Sequence, residues 1–456
     1  MTQLEPIAAI ATPHGIGGIG VIRLSGYDVF AVAQRVFRSK SGKMLADMAG
    51  YTAAFGQVCD VGGPVDEAVA LVFRAPKSYT GEDVVEISCH GGETVLRRTL
   101  AALLAAGARM AGPGEFTRRA FLHGRMDLTE AEAVMQLIGA QNADAARAAL
   151  AQHEGALHRE IGQIKETLYQ LSAELAAYFD YPDDDIPALT RESVLPRLAG
   201  VQEKLEMLCV QYETGRVLRD GVTVAIVGKP NVGKSTLMNR LLGEERSIVT
   251  EVAGTTRDVV EESAQFAGMT LHLFDTAGLH ETDDPVERIG VARAKSKMEQ
   301  SVLVFALFDG SRPLDKEDEA ILSMLRGRRV IAILSKADLP QRCDAAQVRA
   351  AFPDVVSISA AEARGMGALE TCLRDRFRLE ALDPRAGMLA NARQLDCALR
   401  AKAAVAESRK ALEAGFTLDV LSVGLQTAEN ALAELTGEQA SEAVIEKVFA
   451  QFCVGK

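Results

Sequence analysis

The sequence predicts a multidomain chain with an N-terminal α+β domain, a helical domain, and an α/β domain inserted into the helical one. Three observations support this prediction. Residues 1–120 mix short apolar runs with turns, whereas residues 121–217 and 381–456 are alanine-rich, with apolar residues at helical spacing. Residues 218–380 instead contain β-branched apolar runs of strand length, followed by polar motifs. The helical residues therefore flank the α/β domain on both sides.

The composition limits the class of protein. At 456 residues the chain has room for about three domains, and its formal net charge of −12 argues against broad non-specific nucleic-acid binding. It has no apolar stretch of about twenty residues, and no basic segment followed by an apolar one at its start. Its seven cysteines form no C-x-x-C pair. We therefore predict a cytoplasmic protein without a zinc site or a membrane span.

The N-terminal segment contains a glycine-dense turn, Gly15–Gly20, between the apolar runs Ile7–Ala11 and Val21–Ser25. Glycines spaced in this way are close to a dinucleotide-binding fingerprint. That fingerprint requires a helix directly after the glycines, and Val21–Ser25 has the pattern of a strand. We therefore predict two strands joined by a turn, and we reject dinucleotide binding.

Three segments predict the helical domain: Leu128–Tyr181, Val194–Val217 and Gly387–Phe452. The acidic stretch Asp180–Pro187 separates the first two. Its carboxylates suggest a calcium loop, but their spacing does not match one, so we predict a solvated turn. The simplest architecture inserts residues 218–380 between the second and the third segment.

Residues Gly228–Ser235 form a complete G-x-x-x-x-G-K-S phosphate loop. The preceding run, Val222–Val227, predicts a buried strand, and the following segment, Thr236–Leu242, has helical spacing. A phosphate loop requires this order of strand, loop and helix. A chance glycine-rich turn is therefore rejected.

Each residue type in the loop has a defined chemistry. Gly228 and Gly233 allow the backbone to curl, so that its N–H groups face a phosphate at the helix N-terminus. We expect Lys234 to neutralise β- and γ-phosphate charge, and the Ser235 hydroxyl to ligate Mg²⁺.

Two later stretches complete the predicted phosphate side of the site. Asp275–Gly278 follows a predicted strand, so that Asp275 can hold Mg²⁺ through its water shell and the Gly278 N–H can meet the γ-phosphate. The loop Thr250–Asp258 offers the Thr256 hydroxyl as a second protein ligand of Mg²⁺. No glutamine stands beside Asp275–Gly278 to orient the attacking water. The hydrolytic machinery must therefore differ from that of the small signalling GTPases.

A guanine-reading motif is predicted at Ser335–Asp338, after the strand Val330–Leu334. The Asp338 carboxylate can accept both N1–H and N2–H₂ of guanine, which adenine does not offer, and the Lys336 stem can cover the base. Ser335 stands where the usual N-K-x-D motif has asparagine. Asp338 carries the main discrimination, so guanine remains the prediction, while the shorter serine leaves open how tightly the nucleotide binds.

A last motif, Ser359–Ala361, follows the strand Val355–Ile358 and could reach guanine O6 through a backbone N–H. The predicted GTP-binding residues are Asn231, Val232, Gly233, Lys234, Ser235, Thr236, Thr250, Glu251, Val252, Ala253, Gly254, Thr255, Thr256, Asp275, Thr276, Ala277, Gly278, Ser335, Lys336, Asp338, Ser359, Ala360 and Ala361.

Further motifs extend over the whole chain: Ala11–Gly26, Ser78–Glu86, His90–Gly92, Pro113–Leu122 and the terminal Phe452–Lys456. Together with the nucleotide motifs, they resemble the MnmE (TrmE) family of tRNA-modifying GTPases. The resemblance implies an N-terminal folate-binding and dimerising domain, a central helical domain and an inserted P-loop GTPase domain. It also implies joint action with the FAD-dependent protein MnmG, as a heterotetramer, on carbon 5 of the wobble uridine of certain tRNAs.

The resemblance assigns roles to individual residues. It implies that Ser235 and Thr256 ligate Mg²⁺, and that Glu287 orients the attacking water; a solvated carboxylate at a helix start is the alternative for Glu287. The implied K⁺ ligands, used when two GTPase domains meet, are Asn231, Thr250, Val252 and Thr255.

The implied folate ligands are Arg23, Glu86, Arg125 and Lys456, which would hold 5-formyltetrahydrofolate or methylene-tetrahydrofolate. Arg125 stands where some relatives carry lysine, which preserves the charge but changes the hydrogen-bond geometry. Cys453 is a candidate catalytic thiol near this site, with a partly buried structural thiol as the alternative.

A second function remains open, because a regulatory GTPase switch acting in ribosome assembly would share the nucleotide motifs. The N-terminal motifs and the Cys453 tail favour the hypothesis of a tRNA-modifying protein, because an assembly factor requires neither of them.

Overall fold

The computed structural model describes residues 5–13, 15–180, 189–244, 262–275, 299–381 and 383–456. They form two compact units. The first comprises Met1–Met135, His158–Ala199 and Arg400–Lys456, and the second comprises Gln136–Leu157 and Gly200–Leu399. The predicted boundaries at residues 120, 217 and 380 remain a prediction, and the turn predicted at Asp180–Pro187 lies, beyond its first residue, outside the described residues.

A seven-stranded sheet forms the N-terminal part of the first unit, in the order β3-β4-β5-β6-β2-β1-β7. All neighbouring strands are antiparallel except β1 and β7. The strands are β1 (Ile7–Ile10), β2 (Ile19–Ser25), β3 (Phe37–Ser39), β4 (Thr52–Asp60), β5 (Gly63–Phe73), β6 (Val84–His90) and β7 (Arg109–Met110).

Alternate residues of this sheet enter two different cores, as expected for strands covered on both faces. Ala8 packs in the core formed with helices α1 (Val29–Val36) and α2 (Glu93–Ala105), whereas Ile7 and Ala9 pack with Phe116 of α3 (Glu115–Leu122) on the opposite face. A short 3₁₀ turn, Leu45–Asp47, follows β3.

The glycine-dense turn joins two antiparallel strands, as predicted, since Ile7 of β1 pairs with Ser25 of β2. No helix follows these glycines; β2 begins at Ile19. The turn instead crosses the His90–Gly92 segment, where a Cβ at Gly91 would lie 2.5 Å from the Gly17 carbonyl oxygen. The rejection of a dinucleotide fingerprint is therefore confirmed.

The predicted helical segments are confirmed. Their helices are α4 (Leu128–Gly139), α5 (Ala143–His153), α6 (Ala156–Asp180), α7 (Arg191–Asp220), α12 (Ala392–Glu413), α13 (Leu421–Thr436) and α14 (Glu442–Phe449), with a 3₁₀ turn at Leu418–Val420. Among the described residues, no helix has both the length and the apolar character that crossing a membrane requires.

Helices from before and after the α/β domain pack together in the first unit. The Ser172 hydroxyl donates to a Glu429 carboxylate oxygen over 2.7 Å, and Lys165 forms an ion pair with Glu438. These contacts join α6 to α13 and the residues that follow it. The α/β domain is therefore an insertion within one helical domain, as the sequence predicts.

The inserted domain contains a six-stranded sheet in the order β13-β12-β11-β8-β10-β9. Its strands are β8 (Val222–Gly228), β9 (Glu262–Phe266), β10 (Met269–Asp275), β11 (Leu303–Asp309), β12 (Val330–Ser335) and β13 (Asp354–Ser357). Its helices are α8 (Lys234–Glu244), α9 (Lys316–Met324), α10 (Ala345–Ala351) and α11 (Met366–Arg376), with a 3₁₀ turn at Leu379–Ala381.

The sheet is parallel except for the edge strand β9. Along β8, Val224 and Ile226 enter one core and Ala225 and Val227 enter the other. Burial on both faces explains why these strands are continuous apolar runs rather than alternating ones.

Leu128 connects the start of the helical domain to its end, because it is fully buried in one core with Phe449 and Phe452. We expect Leu128→Ala to lower the free energy of unfolding by about 2–5 kcal/mol, since the truncation leaves a cavity. Leu137→Ala on the same helix removes a side chain that is 37% exposed and serves as the control. Chemical denaturation of both variants measures the difference, and equal losses would contradict the assignment of Leu128 to the core.

Candidate functional site

The phosphate loop has the backbone conformation that its glycines predict. Asn231 and Gly233 have positive φ values of 63° and 104°, so the chain turns sharply between β8 and α8. A Cβ at Gly228 would lie 2.8 Å from the Leu307 carbonyl oxygen, so only glycine fits there. Left-handed residues in such a turn direct successive N–H groups into a concave, anion-binding surface.

The Lys234 ammonium group lies across this loop. Its Nζ donates to the Gly228 carbonyl oxygen over 2.8 Å and to the Lys229 carbonyl oxygen over 3.0 Å. Asn231 and Ser235 are exposed at the same loop, and both side chains carry an oxygen that suits a hard cation. The loop therefore combines a cation that suits a phosphate with exposed side-chain oxygens.

The carboxyl ends of β8, β10, β11 and β12 meet at one edge of the sheet, which is where α/β folds bind ligands. Asp275 ends β10 and pairs in register with Ile226, two residues before the loop begins. The predicted site residues outside the described residues are Thr250, Glu251, Val252, Ala253, Gly254, Thr255, Thr256, Thr276, Ala277, Gly278 and Glu287.

The guanine motif begins at the end of β12, next to the phosphate loop. A Cβ at Gly233 would lie 4.0 Å from the Ser335 Cβ. The buried Ser335 hydroxyl donates to the Phe308 carbonyl oxygen over 3.1 Å. The hydroxyl thus joins β12 to β11 within the sheet.

Lys336 is held by a carboxylate that the sequence did not reveal. Its Nζ lies 2.6 Å from Asp309 Oδ2 at the end of β11. Burial raises the pKa of Asp309, but hydrogen bonds from Lys336 and Ser311 outweigh burial, and the pKa is lowered overall. The carboxylate is therefore ionised at neutral pH and fixes the direction of the Lys336 side chain.

Asp338 contacts the second predicted base motif, Ser359–Ala361. A hydrogen bond from the buried Ser359 hydroxyl lowers the pKa of the Asp338 carboxyl. The Ala337 N–H also donates to the Ile358 carbonyl oxygen over 3.0 Å, so the two segments are joined directly. An ionised carboxylate in a fixed position can accept both guanine N–H groups.

The segment after Ser359 forms a short closed loop. Ser359 and Arg364 exchange backbone hydrogen bonds of 2.9 and 3.0 Å, which enclose the partly buried Ala360 and the exposed Ala361. These two residues thus follow directly after the residue that holds Asp338.

Arg23 and Glu86 form an ion pair on the N-terminal sheet. They are register partners on β2 and β6, and Arg23 Nε lies 2.8 Å from Glu86 Oε1. The Arg23 guanidinium also lies 5.5 Å from the Tyr79 ring centroid and 5.7 Å from that of Phe116. The side chains are only 17% and 22% exposed, so this pair is partly shielded from water.

The terminal motif, Phe452–Lys456, contacts the segment that carries Phe116. The Phe116 N–H donates to a Lys456 backbone oxygen over 3.2 Å, and the Gly114 N–H donates to the Cys453 carbonyl oxygen over 3.3 Å. Cys453 is exposed. Phe116 therefore connects the terminal residues to the Arg23 guanidinium.

Arg125 lies beside another predicted motif. A Cβ at Gly81, within Ser78–Glu86, would lie 3.5 Å from Arg125 Cγ. Phe116 thus links the backbone of Lys456 to Arg23, which pairs with Glu86, and Arg125 lies against the motif that carries Glu86.

Comparison with known proteins identifies the family. A family model described as the MnmE helical domain matches residues 128–453, and one described as the GTP-binding protein TrmE N-terminus matches residues 6–125. The tRNA modification GTPase MnmE of Symbiobacterium thermophilum is 44% identical over 99% of this chain and 99% of its own length. The protein of the same name from Geobacillus kaustophilus is 41% identical over the full length of both chains.

This chain belongs to the MnmE family. It is a GTP hydrolase with an N-terminal TrmE domain, a helical domain and an inserted P-loop GTPase domain. Among solved structures, a variant of Aquifex aeolicus Era bound to GDP and aluminium fluoride is 27% identical, with a TM-score of 0.28 over 40% of this chain and 66% of that chain.

Three charged residues of this MnmE-family chain were missed by sequence reasoning. Asp309 pairs with Lys336, Lys229 pairs with acidic residues of α9, and the buried Arg119 pairs with Glu82. Asp309 did give a signal, because it is an acid at the end of an otherwise apolar strand. Arg119 and Glu82 each lie in a recognised motif, but nothing in the sequence pairs them.

We expect Asp338→Asn to weaken GTP binding about 10- to 100-fold, the loss expected for hydrogen bonds to a charged group. The amide of asparagine should instead favour xanthosine nucleotides, because it can donate to the additional carbonyl of xanthine. Competition binding with both nucleotides measures the change. The control is Asp344→Asn, an exposed cap of α10 whose function asparagine preserves. ATP hydrolysis by the unaltered protein as fast as GTP hydrolysis would contradict the guanine assignment.

Proposed function

We propose that this chain is the GTP-hydrolysing component of a system that modifies carbon 5 of the wobble uridine in certain tRNAs, with an aminomethyl or carboxymethylaminomethyl product. The observation that carries the proposal is the presence of two separate sites in one chain. A guanine-nucleotide site lies on the inserted domain, and the Arg23 guanidinium, paired with Glu86, lies over Phe116, whose N–H donates to the backbone of the terminal Lys456. The relatives named tRNA modification GTPase MnmE support tRNA as the substrate.

In the nucleotide site, the chain positions GTP before the reaction. Asp338 and Lys336 hold the base, the loop N–H groups and Lys234 hold the phosphates, and Glu287 is proposed to orient the attacking water. Ser235 and Thr256 would hold Mg²⁺. The proposed K⁺ ligands are Asn231, Thr250, Val252 and Thr255. The two cations would supply positive charge where negative charge develops on the phosphate.

In the N-terminal site, the residues fit a reduced folate that carries a one-carbon unit, as 5-formyl- or methylene-tetrahydrofolate does. Glu86 offers a carboxylate acceptor for the N–H groups of the pterin ring. Arg23 is paired with Glu86 and would hold that carboxylate in place, while Arg125 and Lys456 offer cations for the carboxylates of the glutamate tail. The exposed thiol of Cys453 is the proposed reactive group of the chain beside this site.

The proposal includes further protein partners. The N-terminal domain would form a homodimer, the GTPase domains of the dimer would meet across their phosphate loops, and an FAD-dependent MnmG would complete a heterotetramer in the cytoplasm. The exposure of Asn231 supports this arrangement, because its amide is accessible at the surface of the loop.

The alternative is a regulatory switch acting in ribosome assembly. Such a switch would use the nucleotide site alone. The Arg23–Glu86 pair favours the first proposal, because it is a partly shielded charged pair with aromatic neighbours. It also lies far along the chain from the nucleotide motifs, and a switch that used the nucleotide site alone would not need it. Titration of 5-formyltetrahydrofolate into the purified protein distinguishes the two functions.

We expect the double variant Arg23→Ala, Glu86→Ala to bind 5-formyltetrahydrofolate at least about 10-fold more weakly, because it removes charge-assisted hydrogen bonds. Isothermal titration calorimetry measures the affinity. The control is Lys40→Ala, Glu67→Ala, which removes an ion pair of the same sheet whose side chains are both more than half exposed. An unchanged affinity in the Arg23, Glu86 variant would remove both residues from the site.

We expect K⁺ to stimulate GTP turnover and Na⁺ not to, because oxygen ligands spaced for K⁺ fit the smaller Na⁺ poorly. Loss of a cation that stabilises the transition state of phosphoryl transfer lowers the rate on the order of 10³-fold. Turnover is measured against K⁺, Na⁺ and NH₄⁺ at constant ionic strength, with dimerisation followed in parallel. Equal rates in Na⁺ and K⁺ would exclude the K⁺ site.

Asn231→Gly tests the proposed ligand itself, because glycine tolerates the φ of 63° and only the amide is lost. This variant should lose most of the K⁺ stimulation and keep GDP binding, since Lys234 and the loop backbone remain. Asn239→Ala, at an exposed position of the adjoining helix, is the matched control.

A further inference from the structure

The second residue of the phosphate loop is a buried lysine with two carboxylate partners. Lys229 Nζ lies 2.5 Å from Asp315 Oδ2 and 2.8 Å from Asp318 Oδ2. The side chains of Lys229 and Asp318 are only 3% and 4% exposed, whereas that of Asp315 is 54% exposed. The central contact of this cluster is therefore the buried pair of Lys229 and Asp318.

Both carboxylates belong to the N-terminus of helix α9. Asp315 caps the helix by accepting the N–H groups of Glu317 and Asp318, and Asp318 Oδ2 accepts the Asp315 N–H over 3.1 Å. Asp318 Oδ2 is therefore shared between the helix cap and Lys229. Asp318 Oδ1 is buried and has no hydrogen-bond partner among the described residues. The lysine is thus the main countercharge of a carboxylate that is shielded from water.

The main chain of Lys229 contacts the phosphate-binding lysine. Its carbonyl oxygen accepts a hydrogen bond from Lys234 Nζ over 3.0 Å. The preceding residue, Gly228, is packed so closely on β11 that a Cβ there would lie 2.8 Å from the Leu307 carbonyl oxygen. Packing on the sheet therefore fixes the first loop residue, and the ion pair with α9 fixes the second.

We propose that Lys229 is a positioning residue for GTP hydrolysis. Its ion pair with Asp315 and Asp318 anchors the start of the phosphate loop to α9, so that the Lys234 ammonium and the loop N–H groups stay aligned with the phosphates. Lys229 is not itself a phosphate ligand, because its ammonium is buried and bound to carboxylates. The inference concerns the established GTP hydrolysis and does not depend on the proposed role in tRNA modification.

We expect Lys229→Met to lower kcat and kcat/KM for GTP together, on the order of 10- to 100-fold, because small misplacements of catalytic groups have effects of this size. Lys229→Arg keeps the charge and should recover most of the turnover. Steady-state GTP hydrolysis measures the rates, and thermal unfolding measures stability in the same samples.

A second variant separates positioning from stability. Lys229→Met alone leaves Asp318 as a buried and poorly compensated charge, which is expected to lower the melting temperature. Adding Asp318→Asn removes that charge while keeping an acceptor for the Asp315 N–H. The double variant should therefore regain melting temperature and still hydrolyse GTP slowly. If turnover recovers together with stability, Lys229 has only a structural role and the proposal is overturned.

The matched control is Arg376→Met, which removes an ion pair with Asp354. Asp354 begins the edge strand β13, whereas Lys229 follows the carboxyl end of the interior strand β8. It should hydrolyse GTP at the rate of the unaltered protein. Full turnover in Lys229→Met, or an equal loss in Arg376→Met, would also overturn the proposal. If Lys229→Met does not fold, the double variant decides the question.

Discussion

The meeting of four parallel strands at one edge of the inserted sheet determines where the described nucleotide-site residues lie. The register pairs Asp309 of β11 with Ser335 of β12, and Asp275 of β10 with Ile226 of β8. Because these strands are buried on both faces, a shift by one residue would move their side chains into the wrong core. The packing of the sheet therefore sets the spacing between the phosphate loop and the base motif, and Val232 of the loop is itself buried in one of the cores.

Three lysines lie near this edge of the sheet, and the contacts of each are specific. Lys229 and Lys336 each form an ion pair with a carboxylate from another element, whereas Lys234 donates to two backbone carbonyl oxygens. A bound phosphate carries negative charge, so it attracts the Lys234 ammonium more strongly than an uncharged carbonyl oxygen does.

The sequence predicted the elements well where one local pattern decides the structure. The strand predicted at Val222–Val227 is β8, Val222–Gly228, and the predicted glycine turn lies between β1 and β2. The base motif also lies beside the phosphate loop, as its order along the chain implied. What the sequence did not predict are pairs between distant segments, such as Lys229 with Asp318 and Lys336 with Asp309. Each of these residues is an ordinary charge until the fold brings its partner close.

The contact of Ser335 is another feature that the sequence alone did not predict. The sequence revealed that serine replaces asparagine, but the direction of its hydroxyl depends on the neighbouring strand, where it meets the Phe308 carbonyl oxygen. The proposed site around Arg23 depends on distant segments as well, because Phe116 joins that guanidinium to the terminal residue Lys456. The terminal residues follow α14, whose Phe449 packs with Leu128. The packing of the helical domain therefore holds the terminal residues against the N-terminal sheet, so the proposed N-terminal site depends on helices that are encoded on the far side of the insertion.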